Sequence, residues 1–315
     1  MTYLVTGGTG FIGSRIVRDI VREGEQVIVY DLFPEGSFLW RLLSEEEKTS
    51  VKIVRGNVTD LPYLIHTAKE NKVGRIIHLA SVLIEVSSDN PPLALKVNCE
   101  GAMNVFETAR LLGLSKVVWA SSITVFGSQE KYGGEPVAND APQYPDGIYG
   151  ACKAFNENVA AHYFEKYGVD ISAIRYSSVY GFGRYWGSYI VTQELIEKPA
   201  VGEPGRVPFS DSTMNWLYVD DAARATLLAA KAARTKTRAF NISGDIRSVR
   251  EVADYVRKLL PGADITLLPG FRGRASQYDT TRIEEELGFH PRWSMEEGVK
   301  QTINTVRQQY SLPPV

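Results

Sequence analysis

Apolar positions in the first half of the chain follow two alternating patterns. Short runs rich in Val and Ile, apolar at nearly every position, occupy residues 3–6, 26–31, 51–54, 75–80, 116–121 and 171–176. Such runs are expected of parallel strands covered on both faces. Between them the apolar residues take helical spacing. Ile16, Val17, Ile20 and Val21 share one face, and Gly24 ends that helix. Residues 61–71, 91–113 and 149–168 repeat the logic. Alternating strand and helix units predict an α/β fold with a doubly wound parallel sheet and right-handed crossovers.

The pattern changes after residue 179. Glycines and aromatics cluster in 180–189, and 199–212 reads as loop. A helix over 220–234 and a strand over 239–242 return to the main sheet. The tail, with segments 248–260, 265–268 and 295–310, reads as a smaller C-terminal α/β lobe.

Composition narrows the class. The chain has 315 residues, 44% hydrophobic and 23% charged, with a net charge of −2, as in an ordinary soluble globular protein. Nothing in that balance points to nucleic acid or a membrane surface as partner. Cys99 and Cys152 fall on separate predicted helices without CxxC spacing, which fits a reducing compartment and no structural bridge. His66, His78, His162 and His290 lack metal-ligand spacing, so no metal site is expected. The first strand begins at Thr2, leaving no room for a leader peptide, and no apolar run approaches the roughly 20 residues of a membrane span. The expected location is cytoplasmic.

Candidate chemistry begins after the first strand, where TGGTGFIG (6–13) opens the first helix. Gly7 permits a tight turn, Gly10 lets backbone approach a pyrophosphate, and Gly13 allows close helix–sheet packing. Phe11 and Ile12 complete the turn, and the helix N-terminus offers N–H groups to phosphates. The second strand ends at Asp31, where a carboxylate accepts hydrogen bonds from a ribose diol and repels a 2′-phosphate. No Arg or Lys stands within a few residues of Asp31, so NAD rather than NADP is the expected cofactor. The fold is therefore expected to be Rossmann-like. Residues 1–179 with about 216–244 form its NAD-binding part, and 180–215 with 245–315 the substrate-binding lobe. Asn57 and Val58 follow the third strand at the level of the adenine. Leu79, Ala80 and Ser81 follow the fourth, at the level of cofactor and substrate.

Tyr149 and Lys153 lie four apart at the start of a predicted helix and so share a face. A free phenol, with a pKa of about 10, is a poor base at neutral pH, and a neighbouring cation favours its phenolate. Tyr149 then takes a proton from an alcohol, or returns it to a carbonyl. Ser122 ends the fifth strand at the carboxyl edge of the sheet, where ligands bind, and can orient the reacting oxygen.

Together these residues resemble the extended short-chain dehydrogenase/reductases, the NAD-dependent epimerase/dehydratase family. The resemblance runs through TGGTGFIG, GNVTD (56–60), HLAS (78–81), VNCEG (97–101), SSITVFG (121–127), YGACK (149–153), RYSSVYG (175–181), YVDDAA (218–223), FNISG (240–244) and LGFHP (287–291). It implies Ser122, Tyr149 and Lys153 as catalytic residues, with Lys153 also on the nicotinamide ribose and the Tyr176 backbone at the nicotinamide amide. It implies a homodimer joined through the helices at 91–113 and 149–168. Ser81, Ser122, Tyr149, Ser178, Arg184 and Trp186 are the candidate substrate contacts.

Departures from the family pattern narrow the chemistry. Ile123-Thr124 stand where the 4,6-dehydratases carry Asp-Glu, which argues against dehydration. Ser178 and Met214 replace the Asn and Arg that serve nucleotide-sugar members. Arg184, Arg272 and Arg274 either hold an anionic substrate or are surface residues. Tyr180, Phe182, Tyr185, Trp186 and Trp216 either line a pocket or build core. The leading expectation is NAD-dependent oxidation of a secondary alcohol on a sugar-like or polyhydroxylated small substrate. The alternatives are a sugar or nucleotide-sugar 4-epimerase that retains its cofactor, and a non-catalytic NAD-binding scaffold.

Overall fold

The strand-like runs become β1 (Thr2–Thr6), β2 (Gln26–Asp31), β3 (Val51–Arg55), β4 (Arg75–His78), β5 (Lys116–Ser122) and β6 (Ile171–Tyr176) in a computed structural model describing residues 1–35, 37–184, 190–271 and 277–315. Six more strands follow: β7 (Ser178–Tyr180), β8 (Gly205–Val207), β9 (Thr213–Tyr218), β10 (Ala239–Asn241), β11 (Asp245–Ser248) and β12 (Ile265–Leu267). Seven of these form one sheet of order β10-β6-β5-β4-β1-β2-β3, every pair parallel. The order reverses between β1 and β4, which opens a crevice above their carboxyl ends.

Helices cover both faces. On one side lie α1 (Phe11–Arg22) and, late in the chain, the helix Val219–Lys231; Ile16, Val17 and Ile20 meet Val118, Ile174 and Ala222 there. On the other lie α2 (Leu61–Glu70), α3 (Gly101–Leu112) and α4 (Ile148–Tyr167), whose Leu64, Phe106 and Ala160 share a cluster with Leu4, Val117 and Trp119. Val117 and Trp119 thus face one layer and Val118 the other. Each such apolar side chain stabilises the fold by about 1.5–3 kcal/mol, which is why these strands read as unbroken apolar runs.

Two features depart from the sequence pattern. The 91–113 helix is interrupted by a π-helical turn, Leu95–Glu100, where the Asn98 carbonyl accepts a hydrogen bond from Asn156 Nδ2 at 2.7 Å. A side chain inserted from α4 stabilises the extra residue in the turn, and periodicity cannot report it. Residues 199–212, expected as loop, contain β8, which pairs with β12 some 60 residues later. A strand of 3 residues has too few positions to show a period, and its existence rests on that distant partner. A second sheet of order β11-β9-β7 flanks the main one.

Candidate active site

The glycine turn between β1 and α1 is built by steric necessity. A Cβ on Gly13 would lie 2.2 Å from the Gly7 carbonyl oxygen, and one on Gly7, whose φ is +69°, would lie 2.8 Å from the Ala80 nitrogen. Gly7 therefore lets the turn after β1 touch the segment after β4, while Gly13 lets α1 pack on the turn. Gly10 differs: its Cβ would meet only the Gly7 oxygen, at 3.2 Å, and otherwise open space. It begins α1 with no side-chain cap and no acidic residue in the first turn. Uncapped N–H groups and the helix dipole leave this end suited to an anion, so the residues present fit the diphosphate of a dinucleotide. Phe11 and Ile12, half-buried, form the first turn.

Asp31 ends β2 beside this turn. One carboxylate oxygen accepts from Thr9 N at 3.2 Å and Thr9 Oγ1 at 2.5 Å, and the other from Phe33 N at 3.2 Å. Arg55, far off in sequence, is the register partner of Asp31 on β3 and pairs with Glu35 at 3.1 Å. The nearest basic residue along the chain is thus not the nearest across the sheet. Asn57 is exposed and its side chain receives Thr59 N, whereas Val58 is buried against Gly101. The Val58 side chain belongs to the core, and its carbonyl accepts from Asn104 Nδ2 at 2.9 Å.

Ser122 sits at the carboxyl end of β5, its hydroxyl accepting from Thr124 N at 3.2 Å. The following turn meets the start of α4 closely, since a Cβ on Gly150 would lie 2.6 Å from the Thr124 carbonyl oxygen. That approach brings Tyr149 beside the Ser122 turn. One helical turn on, Lys153 Nζ lies 5.2 Å from the Tyr149 ring centroid and donates to the Ala120 carbonyl at 2.7 Å. The structure therefore gathers Ser122, Tyr149 and Lys153 at one edge of the sheet. Burial pushes the Lys153 ammonium down to about 8, opposed by the nearby Cys152, Cys99 and Glu157. His78, at the end of β4, is pushed down to about 3 by burial and then by the Lys153 charge, and its Nδ1 shares a 2.7 Å hydrogen bond with Thr6 Oγ1. It is neutral at physiological pH.

Leu79 and Ala80 are half-buried over Gly7. Ser81 Oγ donates to Asn98 Oδ1 at 2.9 Å, and the same oxygen accepts from Val82 N at 2.9 Å. Asn98 was legible only as part of VNCEG; its role in shaping the 81–82 segment comes from the π turn. The Tyr176 side chain is buried, its hydroxyl hydrogen-bonded to Thr226 Oγ1. Ser178 is half-buried in β7, and Arg184 folds back to donate to the Val179 carbonyl. Tyr185, Trp186, Arg272 and Arg274 lie outside the described residues. Tyr180 and Trp216 are core, 2% exposed each, with ring centroids 5.6 Å apart. Thr124 Oγ1 and Ser177 Oγ are buried with no hydrogen-bond partner among the described residues, and no pattern in the sequence marked them. Cys99 and Cys152, on separate helices, meet where those helices pack, and the closeness of the two thiols pulls Cys152 down and pushes Cys99 up. Among the described residues no three His, Cys, Asp or Glu side chains cluster as metal ligands, and no helix is long and apolar enough to cross a membrane.

The family model described as the NAD dependent epimerase/dehydratase family matches residues 3–243. The chain belongs to that family. It is an NAD-dependent enzyme. Among this family's members, the chain is 27% identical to a UDP-glucuronate 4-epimerase of Thermodesulfobacterium geofontis, over 98% of this chain and 97% of that one. It is 30% identical to a UDP-glucose 4-epimerase of Mycolicibacterium smegmatis, over 98% and 99% respectively. The crystal structure of a Thermus thermophilus UDP-glucose 4-epimerase in complex with NAD superposes with a TM-score of 0.85, at 26% identity, covering 98% of this chain and 99% of that one.

Removing the Asp31 carboxylate tests the cofactor end of the site. Charge-assisted hydrogen bonds contribute about 1.5–3 kcal/mol, so Asp31→Ala should weaken NAD⁺ binding about 10–100-fold. Titration calorimetry measures it; an affinity within twofold of the parent's would remove Asp31 from the site.

Proposed function

We propose that this chain oxidises a secondary alcohol of a sugar-like or polyhydroxylated small substrate, with Tyr149 accepting the hydroxyl proton. The convergence of Ser122, Tyr149 and Lys153 at the sheet edge that also carries the uncapped start of α1 supports this reading most strongly. NAD, when bound, accepts hydride from the same carbon. Ser122 holds the reacting oxygen, and the Lys153 charge favours the Tyr149 phenolate and binds the nicotinamide ribose. Gly7, Gly10, Phe11, Ile12 and Gly13 receive the diphosphate, and Asp31 the adenosine ribose. Asn57 and Val58 flank the adenine. Leu79, Ala80, Ser81 and the Tyr176 backbone border the nicotinamide, and Ser81, Ser178 and Arg184 the substrate.

A second reading is 4-epimerisation of a sugar or nucleotide sugar with the cofactor retained. The full-length relatives named as UDP-sugar 4-epimerases favour it. Met214, buried at the start of β9, weighs against a nucleotide sugar, because an apolar side chain at that position cannot pair with a diphosphate. To the same proposal belong a cytoplasmic location and the division into 1–179 with about 216–244 and 180–215 with 245–315. A homodimer through the 91–112 and 148–167 helices belongs to it too, since Leu95 and Phe155 on them are 57% and 45% exposed.

The test starts from purified protein, denatured and assayed for released NAD⁺ and NADH. An empty protein that reduces added NAD⁺ with sugars, sugar acids or polyols is the expected result. Near-stoichiometric retained cofactor with interconversion of UDP-sugars would replace it by the epimerase reading. A protein that neither reduces NAD⁺ nor interconverts sugars across those panels would overturn both.

A further inference from the structure

Tyr149 and Lys153 continue along the same face of α4 to a third residue, Glu157, one more helical turn on. Its carboxylate accepts four hydrogen bonds: from Ser121 Oγ at 2.5 Å, Arg175 Nε at 2.9 Å, Arg175 Nη2 at 2.7 Å, and Gln143 Nε2. Both members of the ion pair are buried, at 6% and 7% side-chain exposure. Ser121 and Arg175 are register partners on β5 and β6, so their side chains leave the sheet together to meet the helix. Gln143 belongs to the segment that leads into α4. One carboxylate thus joins the ends of two strands, the catalytic helix and the chain entering it.

The consequence lies in three consecutive residues at the end of β5. Ala120 offers the carbonyl that holds Lys153 Nζ, Ser121 is held by Glu157, and Ser122 carries the candidate catalytic hydroxyl. Holding the middle residue sets the position of both neighbours relative to α4. Arg175 extends the same clamp, donating to the Asn139 carbonyl at 2.6 Å and Asn241 Oδ1 at 3.0 Å, so β10 is included. Resting on the reading that Ser122 and Lys153 serve the reaction, we propose that Glu157, paired with Arg175, is the positioning residue that keeps Ser122 and Lys153 in register with Tyr149. Glu157 touches neither substrate nor cofactor. It acts through Ser121 and the strand end, and through its charge.

The charge gives a readout that packing alone would not move. Around the Lys153 ammonium stand Cys152 and Glu157 on its own helix, Cys99 on the neighbouring π turn, His78 at the end of β4, neutral and buried, and the Tyr149 ring. Cys152, Cys99 and then Glu157 favour the cation, against the burial that disfavours it, and Glu157 is the one of the three that also holds Ser121. In Glu157→Gln the side chain keeps its shape and loses that charge. The Lys153 proton affinity should then fall on the order of tenfold, read by NMR titration of ¹³C-lysine-labelled protein with Lys153→Arg as the assignment control.

The crystal structure of Glu157→Gln with NAD⁺ should show the Lys153–Ala120 hydrogen bond lost and Ser122 displaced. NAD⁺ affinity by calorimetry should fall by no more than about tenfold, because the diphosphate and adenosine-ribose contacts lie elsewhere and only the Lys153 contact to the nicotinamide ribose is disturbed. A buried arginine without its partner can unfold the protein, so Glu157→Gln/Arg175→Met, which removes both charges, is made beside it. If whichever variant folds keeps the Lys153–Ala120 bond and the parental titration, the positioning role is wrong. The catalytic reading is tested apart, by turnover of Tyr149→Phe. Its failure would leave the titration and the geometry of the Glu157 variants as they are.

Discussion

Tyr149→Phe should lower turnover by about 10²–10⁴-fold while NAD⁺ binds as before, that being the range lost with a general acid–base. The substitution deletes one oxygen and keeps the ring. Gly150 would still press against the Thr124 carbonyl, and Lys153 Nζ would still lie over the ring face, so the first turn of α4 has no reason to move. The remaining Ser122 hydroxyl and Lys153 ammonium orient a substrate and its cofactor, but neither can take the alcohol proton at neutral pH. A serine is too weakly acidic, and the lysine is mostly protonated at pH 7, below its value of about 8, so little free amine is available. NADH formation at 340 nm, on the alcohol that the parent oxidises best, measures turnover, and calorimetry measures NAD⁺. If the phenylalanine variant turned over at the parental rate, Tyr149 would not be the base and the mechanism would fall.

Gly13→Ala carries the second large effect. The added methyl carbon would stand 2.2 Å from the Gly7 oxygen, 2.8 Å from Gly8 Cα and 3.0 Å from the Gly7 carbonyl carbon. All three are backbone atoms, so relief requires α1 to move away from the turn. Overpacking of this kind costs about 1–3 kcal/mol of stability. Displacing the start of α1 also removes N–H groups aimed at the diphosphate, so NAD⁺ affinity should fall by about 100-fold, the equivalent of nearly 3 kcal/mol. Thermal unfolding and calorimetry report the two losses. Gly10→Ala, which meets only one atom at 3.2 Å, should leave the melting temperature nearly unchanged and act on binding alone. Equal melting temperatures for Gly13→Ala and the parent would show that the close approach does not constrain the turn.

Much of the architecture was legible because burial writes itself into residue type. β2 and β6 have the bounds that the Val/Ile runs predict, Gln26–Asp31 and Ile171–Tyr176, since both faces of each strand lie under helices. Helix α1 ends before Gly24, whose φ of +77° no other residue adopts cheaply. By contrast β8, β11 and the π turn at Leu95–Glu100 have no periodic signature, because each exists through a partner supplied by another part of the chain.

The same division runs through the site. Short-range chemistry was readable from order and spacing. Gly7, Gly10 and Gly13 sit in one turn, Tyr149 and Lys153 lie four apart, and Asp31 and Ser122 end strands, so covalent continuity alone brings each to the carboxyl edge once the strands are known. Contacts between strands and helices were not readable. Arg55 lies beside Asp31 only through β-sheet register, Val58 turns into the core against Gly101, and Cys99 meets Cys152 only where two helices pack. Glu157 was not singled out from the sequence, because its partners Ser121, Gln143 and Arg175 come from three other segments. Order and spacing along the chain were enough for the doubly wound sheet, the glycine turn and the side chains of the candidate chemistry, because these follow from local propensity. Only the tertiary structure decided what holds those side chains in place, because a buried charge must find its partners wherever the fold brings them.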